Sequence, residues 1–274
     1  MQSPTARGDG RMTQHHEPGN GWAGLADRFA LVFDLDGTLV DSAENLRYAA
    51  NRLFEPRGIP ALSRADVIRH VADGQPLLIQ RAVAEWGGSI ALGESMNAEF
   101  RALLADDPVA HMTLMPGTET FLAWASAVNL PMAICTNKIE TLAIDTLCHL
   151  AIDHHFRAII GAVPGRPLKP HPDPLDLAIR KMAAGHRQPV MVGDALADCR
   201  VADAAGVPSI LIEGGYTVDH VSSLGATETV ARIDLLADAL TRLSKRSEGV
   251  HTKSRSFGDD VIKVSSSASS VLKI

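Results

Sequence analysis

The residues with the most chemical promise stand at the ends of short apolar runs. Phe29–Asp34 (FALVFD) closes on a carboxylate, and a second one, Asp36, follows two residues later. Pro131–Cys135 leads into Thr136 and Asn137; Pro189–Gly193 leads into Asp194, with Asp198 close behind. Lys169 lies in a proline-rich stretch, GRPLKPHPDP, between two such runs. If the runs are neighbouring parallel strands, all of these side chains gather at the carboxyl edge of one sheet, where open α/β proteins bind ligands. A lone polar residue at a strand end is commonly a helix cap. Carboxylates, a hydroxyl, an amide and a lysine together exceed what capping requires.

The set suits phosphoryl transfer. Asp34 and Asp194 offer the hard oxygen ligands that magnesium takes. A carboxylate nucleophile can accept a phosphoryl group and so divide one difficult hydrolysis into two easier steps. Asp36 is placed to protonate a leaving oxygen and then to activate water. Lys169 and Thr136 would hold the oxygens over which charge spreads in the transition state.

These residues need a scaffold, and the chain predicts one. Further strand-like runs occur at Arg157–Ala162 (RAIIGA) and Val207–Ile212 (VPSILI). Between the runs lie stretches of helical period, such as Phe121–Leu122–Ala125–Val128 and Ile144–Leu147–Cys148. Strands alternating with helices imply a doubly wound, Rossmann-like α/β core with a parallel sheet covered on both faces. From Asp41 to about Met115 the alternation stops. No convincing strand is found there, and helical patterns replace it: Leu46–Ala50–Leu53–Phe54, Val67–Ile68–Val71, Leu78–Ala82–Val83 and Met96–Phe100–Leu103–Leu104. Asp41 and Glu44 are spaced as a capping box for the first of these helices. An insert of about 75 residues is too long for a connection and is expected to be a small all-α domain. The predicted division is a disordered lead-in at 1–26, a core at 27–41 and 116–244, a helical domain at 42–115, and a disordered Ser-rich tail at 245–274.

The motifs are similar to those of a known family. DLDGTLVDS (Asp34–Ser42) resembles the first motif of haloacid-dehalogenase (HAD) superfamily phosphatases residue for residue. Thr136–Asn137, Lys169 before a proline, and GDALAD (Gly193–Asp198) follow in the family's order. The resemblance, which covers roughly Phe29 to Leu243, implies Asp34 as nucleophile and metal ligand, and Asp36 as acid/base and as a ligand through its backbone carbonyl. It implies phosphate binding by Thr136, Asn137 and Lys169, a metal ligand in Asp194, and a supporting acid in Asp198, which orients Lys169 or reaches the metal through water. Magnesium is the implied cofactor and a small phosphate monoester the implied partner. The helical insert resembles the cap of one subclass, which closes over the site and reads the substrate. Within that subclass GIPALS (Gly58–Ser63), Ala72–Ala82 and Gly214–Thr227 resemble phosphoglycolate phosphatases. One departure is Ala195, where the family often has a hydroxyl.

Bulk properties narrow the partners. The 274-residue chain has a formal charge of −6, so no general basic field draws nucleic acid or an anionic membrane. No apolar run approaches the roughly 20 residues of a membrane span, and the N-terminus lacks the apolar stretch of a secretory signal. Cys135, Cys148 and Cys199 are scattered, as reduced thiols of a cytoplasmic protein are. His149, His154 and His155 read as a solvated helix end rather than a metal cluster. Arg81 reads as either a ligand for a substrate carboxylate or an exposed helix arginine. Two other functions fit parts of the pattern. One is a β-phosphoglucomutase-like mutase, which returns the phosphoryl group to a sugar. The other is a non-enzymatic phosphoaspartate scaffold, which the intact acidic set and the insert argue against.

Overall fold

A computed structural model describes residues 24–71, 77–107, 109, 111–217 and 220–255, with residues 247–255 by backbone alone. The expected disordered lead-in up to residue 23 and the tail beyond 255 lie outside the described residues.

The core is a six-stranded, wholly parallel sheet in the order β5-β4-β1-β6-β7-β8. Its members are β1 (Phe29–Phe33), β4 (Met132–Ile139), β5 (Ile159–Ala162), β6 (Gln188–Gly193), β7 (Ser209–Ile212) and β8 (Glu228–Val230). β1 is buried from end to end, as a central parallel strand covered on both sides must be. Its side chains alternate between the faces. Phe29, Leu31 and Phe33 join one apolar cluster with α6 (Thr118–Ala127), α7 (Glu140–His149) and α10 (Leu236–Arg255). The smaller Ala30 and Val32 face α8 (Asp173–Met182) and α9 (Leu196–Ala205) in another. This is the doubly wound α/β core that the alternating pattern implies.

The stretch between β1 and β4 carries α2 (Ala43–Phe54), α3 (Arg64–Val71), α4 (Leu78–Glu85) and α5 (Ile90–Asp106). Leu46, Leu53, Phe54, Val67, Leu78 and Phe100 build an apolar cluster separate from those of the sheet. Chain enters and leaves this region through a two-stranded antiparallel pair, β2 (Val40–Asp41) with β3 (Thr113–Leu114).

Several details depart from the sequence reading. β3 lies in the stretch read as strand-free, because two residues are too few to show a period. β8 was missed for the same reason. β4 runs on through Thr136 and Asn137 to Ile139, with a register shift after Cys135, so neither polar residue caps α7. The Asp41–Glu44 capping box does not form. Asp41 accepts from Ala43 N and pairs with Arg64, while Glu44 takes Arg47. In α7, Leu147 is buried, but Ile144 and Cys148 are exposed; Ala143 and Thr146 turn inward instead. At the start, α1 (Leu25–Arg28) already buries Leu25 and Ala26, so ordered chain begins inside the expected lead-in. At the end, α10 continues past the apolar stripe of Leu236, Ala239, Leu240 and Leu243 to Arg255.

The helices α4 and α5 approach each other closely at Gly93. A Cβ on Gly93 of α5 would lie 2.5 Å from the Cα of Gln80. Gly→Ala inside a helix ordinarily stabilises by roughly 0.5–1 kcal/mol. Here the backbones must separate, so Gly93→Ala is expected to destabilise by about 1–3 kcal/mol, the range for overpacking. Urea denaturation checks this; a stabilised variant would contradict the close approach.

Candidate active site

Because every sheet strand runs the same way, the carboxyl ends of β1, β4 and β6 share one edge. The chain order changes direction beside β1, with β4 on one flank and β6 on the other. This is the switch point at which α/β sheets open a crevice. A cleft of about 230 Å³ opens there, lined by Asp34, Asp36, Thr136, Lys138, Lys169 and Asp194 and roofed in part by Leu46 and Val71 of the helical region.

Asp34 follows β1, and its Oδ1 accepts from Leu35 N at 2.7 Å and meets Lys169 Nζ at 3.0 Å. Lys169 sits in the loop between β5 and α8, yet its side chain is only 2% exposed. Its Nζ also reaches Asp198 Oδ1 at 2.7 Å, so one ammonium bridges two carboxylates. Asp198 is wholly buried, and its other oxygen accepts from the backbone N–H groups of Asp194 and Ala195. It thereby serves the two N–H groups just before α9, as the N3 acid of a capping box does. A Cβ on Gly193 would overlap the Asp198 carboxyl, which fixes glycine as the last residue of β6.

Asp194 is held by donors on both oxygens: Thr38 Oγ1 at 2.8 Å and Tyr216 N at 2.7 Å. Gly37 has φ +84°, and a Cβ there would stand 2.6 Å from Asp194 Oδ2. Only glycine meets both conditions. Asn137, expected at phosphate, lines the cleft, and its side chain also engages the backbone of Lys169: Oδ1 accepts from Lys169 N at 2.9 Å and Nδ2 donates to Lys169 O at 3.1 Å. Thr136 lines the cleft, and its hydroxyl accepts from Lys138 N.

Asp36 pairs with a lysine outside the predicted set. Lys138 Nζ lies 2.9 and 3.1 Å from the two oxygens of Asp36. A signal for it existed: Lys138 is two residues beyond Thr136, and alternate residues of a strand share a face. Tyr216 and Thr38 were passed over as well. They come from a loop after β7 and from the turn after β1, and no periodicity marks them. Arg81 does not line the cleft; its guanidinium donates to His70 O.

Like charges crowd this edge. Burial pushes the Asp34 carboxyl up to about 6, against the pull of Lys169. Burial, reinforced by the charges of Asp198 and Asp34, raises Asp194 to about 8, and its bonds to Tyr216 N and Thr38 only partly offset this. Burial alone would lower Lys169, but the charges of Asp198 and Asp34 prevail and hold its ammonium above the ordinary lysine range. Asp34, Asp194 and Asp198 present oxygens within 4.8 Å of one another, the one such group among the described residues. His149, His154 and His155 form none; His155 bonds Ser126 Oγ and stacks on His154.

A family model, described as haloacid dehalogenase-like hydrolase, matches residues 31–212. The chain is 34% identical over 203 residues to the phosphoglycolate phosphatase of Rhodospirillum rubrum, covering 72% of this chain and 84% of that one. It is also 34% identical over 214 residues to the Chromobacterium violaceum phosphoglycolate phosphatase, covering 77% and 96%. Among solved structures, a predicted phosphoglycolate phosphatase from Haemophilus somnus superposes with a TM-score of 0.69 at 23% identity, covering 77% of this chain and 97% of that one. CbbY from Rhodobacter sphaeroides, in complex with phosphate, gives 0.56 at 24% identity, covering 76% and 95%. The two structures speak for the fold, and the matched motifs and sequence relatives for descent: this chain belongs to the haloacid dehalogenase-like hydrolase family.

Proposed function

We propose that the chain is a magnesium-dependent phosphomonoester hydrolase of the cytoplasm, acting through an aspartyl-phosphate on Asp34, with 2-phosphoglycolate as its substrate. The observation that carries the reading is the Asp34–Lys169–Asp198 bridge beside Asp194 in one small cleft. The cleft falls below the roughly 300–1,000 Å³ of sites for drug-sized ligands, which suits a compact ester. The names of the sequence relatives point to the same substrate.

The donor set fits a hard cation. It is all oxygen, and burial makes it costly for Asp34 and Asp194 to be ionised together without a positive charge between them. Asp34, Asp194 and the Asp36 carbonyl would hold the metal. Magnesium, when bound, withdraws charge from phosphate oxygens and lets an anionic nucleophile approach. The chain's own residues do the rest. Asp34 attacks phosphorus as the ester oxygen leaves, and Asp36 gives that oxygen a proton. Asp36 then takes a proton from water, which attacks the phosphoryl group, releases inorganic phosphate and restores Asp34. Lys169 and Thr136 hold the transferred oxygens, Asn137 fixes the Lys169 backbone, and Asp198 orients its ammonium. The region 42–115 acts as a cap, whose Leu46 and Val71 close one side of the cleft against water.

Phosphate release from a panel of 2-phosphoglycolate, sugar phosphates, nucleotides and pyrophosphate tests the reading. Release should be fastest from phosphoglycolate and be abolished by a chelator; release from another ester replaces the substrate, and isomer formation without release favours a mutase. Asp34→Asn should reduce turnover by about a thousandfold or more with an unchanged circular dichroism spectrum, and retained turnover contradicts its assignment as nucleophile. The charges also predict a pH effect on stability. The folded-state value of Asp194, about 8, stands above its ordinary 3.8, so the folded chain binds more protons and metal-free stability falls as pH rises between those values. Magnesium should reverse this, raising Tm at pH 8 by about 5 °C or more and at pH 5 by less; equal gains would count against the site.

A further inference from the structure

Lys138 has no place in the steps above, yet it is a buried cation that faces the reacting centre. Its side chain is 3% exposed and it lines the cleft beside Asp36. An ammonium carries three donors. The contacts to the Asp36 oxygens occupy at most two of them, and the third has no hydrogen-bond partner among the described residues. Lys169 cannot take the same part, because its ammonium is committed to Asp34 and Asp198 on the nucleophile's side. Arg200, also at the cleft, is exposed.

We infer that Lys138 is a specificity-determining residue, whose ammonium receives an anionic group carried by the leaving half of the ester. The inference rests on the phosphatase reading and on Asp36 serving the leaving oxygen. A cation bound to Asp36 then stands next to that oxygen. In 2-phosphoglycolate a single methylene separates the ester oxygen from the carboxylate, so the carboxylate falls beside Lys138 when the ester oxygen meets Asp36. A sugar or nucleotide leaving group has neutral ether or hydroxyl oxygens near that distance and leaves the third donor of a buried ammonium without an anionic acceptor. Selection thus comes from a fixed charge next to the reacting atoms, where a charge-assisted hydrogen bond discriminates most.

The test separates this role from hydrolysis itself. Binding of 3-phosphonopropionate, in which methylene replaces the ester oxygen, is compared with binding of propylphosphonate by calorimetry in the presence of magnesium. The native protein should bind the carboxylate-bearing probe about 10–100-fold more tightly, the effect of one charge-assisted hydrogen bond. Lys138→Met should remove most of that preference, and Lys138→Arg should keep part of it, with thermal melting showing that both variants fold. A native preference near one overturns the inference without any variant, and so does a preference that survives Lys138→Met. An equal loss of affinity for both probes shows that Lys138 acts only through Asp36. Because no turnover is read, absent phosphate release would count against the phosphatase reading alone.

Discussion

The organising constraint is the repulsion among carboxylates gathered at one sheet edge. Asp34, Asp194 and Asp198 bring carboxylate oxygens within 4.8 Å of one another, and Asp194 and Asp198 are almost without solvent. Burying one uncompensated charge costs several kcal/mol, and the surrounding structure reads as a set of answers to that cost. Lys169 is drawn into the core between Asp34 and Asp198. Thr38 and the Tyr216 backbone converge on Asp194, and the first N–H groups at α9 are given to Asp198. Gly37 and Gly193 are fixed as glycine because the carboxylates occupy the space where a side chain would begin.

The compensation is deliberately incomplete in one place. Asp194 receives only neutral donors, so its carboxyl stays raised to about 8 by burial and by its acidic neighbours. A lysine there would quench the charge and also occupy the position of a cation. The other pair in the cleft has the opposite arrangement: Asp36 is matched by the buried Lys138 and needs no further cation. The cleft therefore divides into an acidic side around Asp194 and a side at Asp36 where carboxylate and ammonium are paired.

How much of this could be read in the sequence follows from how local each feature is. FALVFD announces a buried strand because both faces of a central parallel strand must be apolar, and the carboxylate after it is visible against that background. The helices α2 to α5, between β2 and β3, show their buried stripes at helical spacing and lie where those stripes are. Lys169 has no local signal, since an isolated lysine in a proline-rich loop reads as solvated; only the order of the motifs marks it. Lys138 stands beside Thr136 and Asn137 but beyond the apolar run that ends at Cys135, so only the continuation of β4 past that run brings it to the cleft. β3 and β8 are two or three residues long and exist through pairing with distant partners, which no window along the chain contains. Asn137 has a part that motif order alone does not show: besides lining the cleft, its amide holds the Lys169 backbone.

Tyr216 shows why the helical region and the sheet edge do not act independently. Its ring packs into the apolar cluster of α2 to α5, although the residue comes from the loop after β7. Its hydroxyl accepts from Ser42 N at 2.6 Å and donates to Asp41 Oδ1 at 3.1 Å, at the point where chain leaves β2 for α2. Its own N–H holds Asp194. One residue thus reads the position of the helical region with its side chain and sets a carboxylate with its backbone. Asp41 extends the link to α3 through Arg64 at 2.6 Å, and burial with the charges of Asp36 and Asp41 keeps the phenol protonated and able to donate. Displacing the helices would have to break these bonds or carry the Tyr216 backbone with them. In the second case the geometry at Asp194 changes with the opening of the cleft, because the N–H that moves is the one that holds its carboxylate.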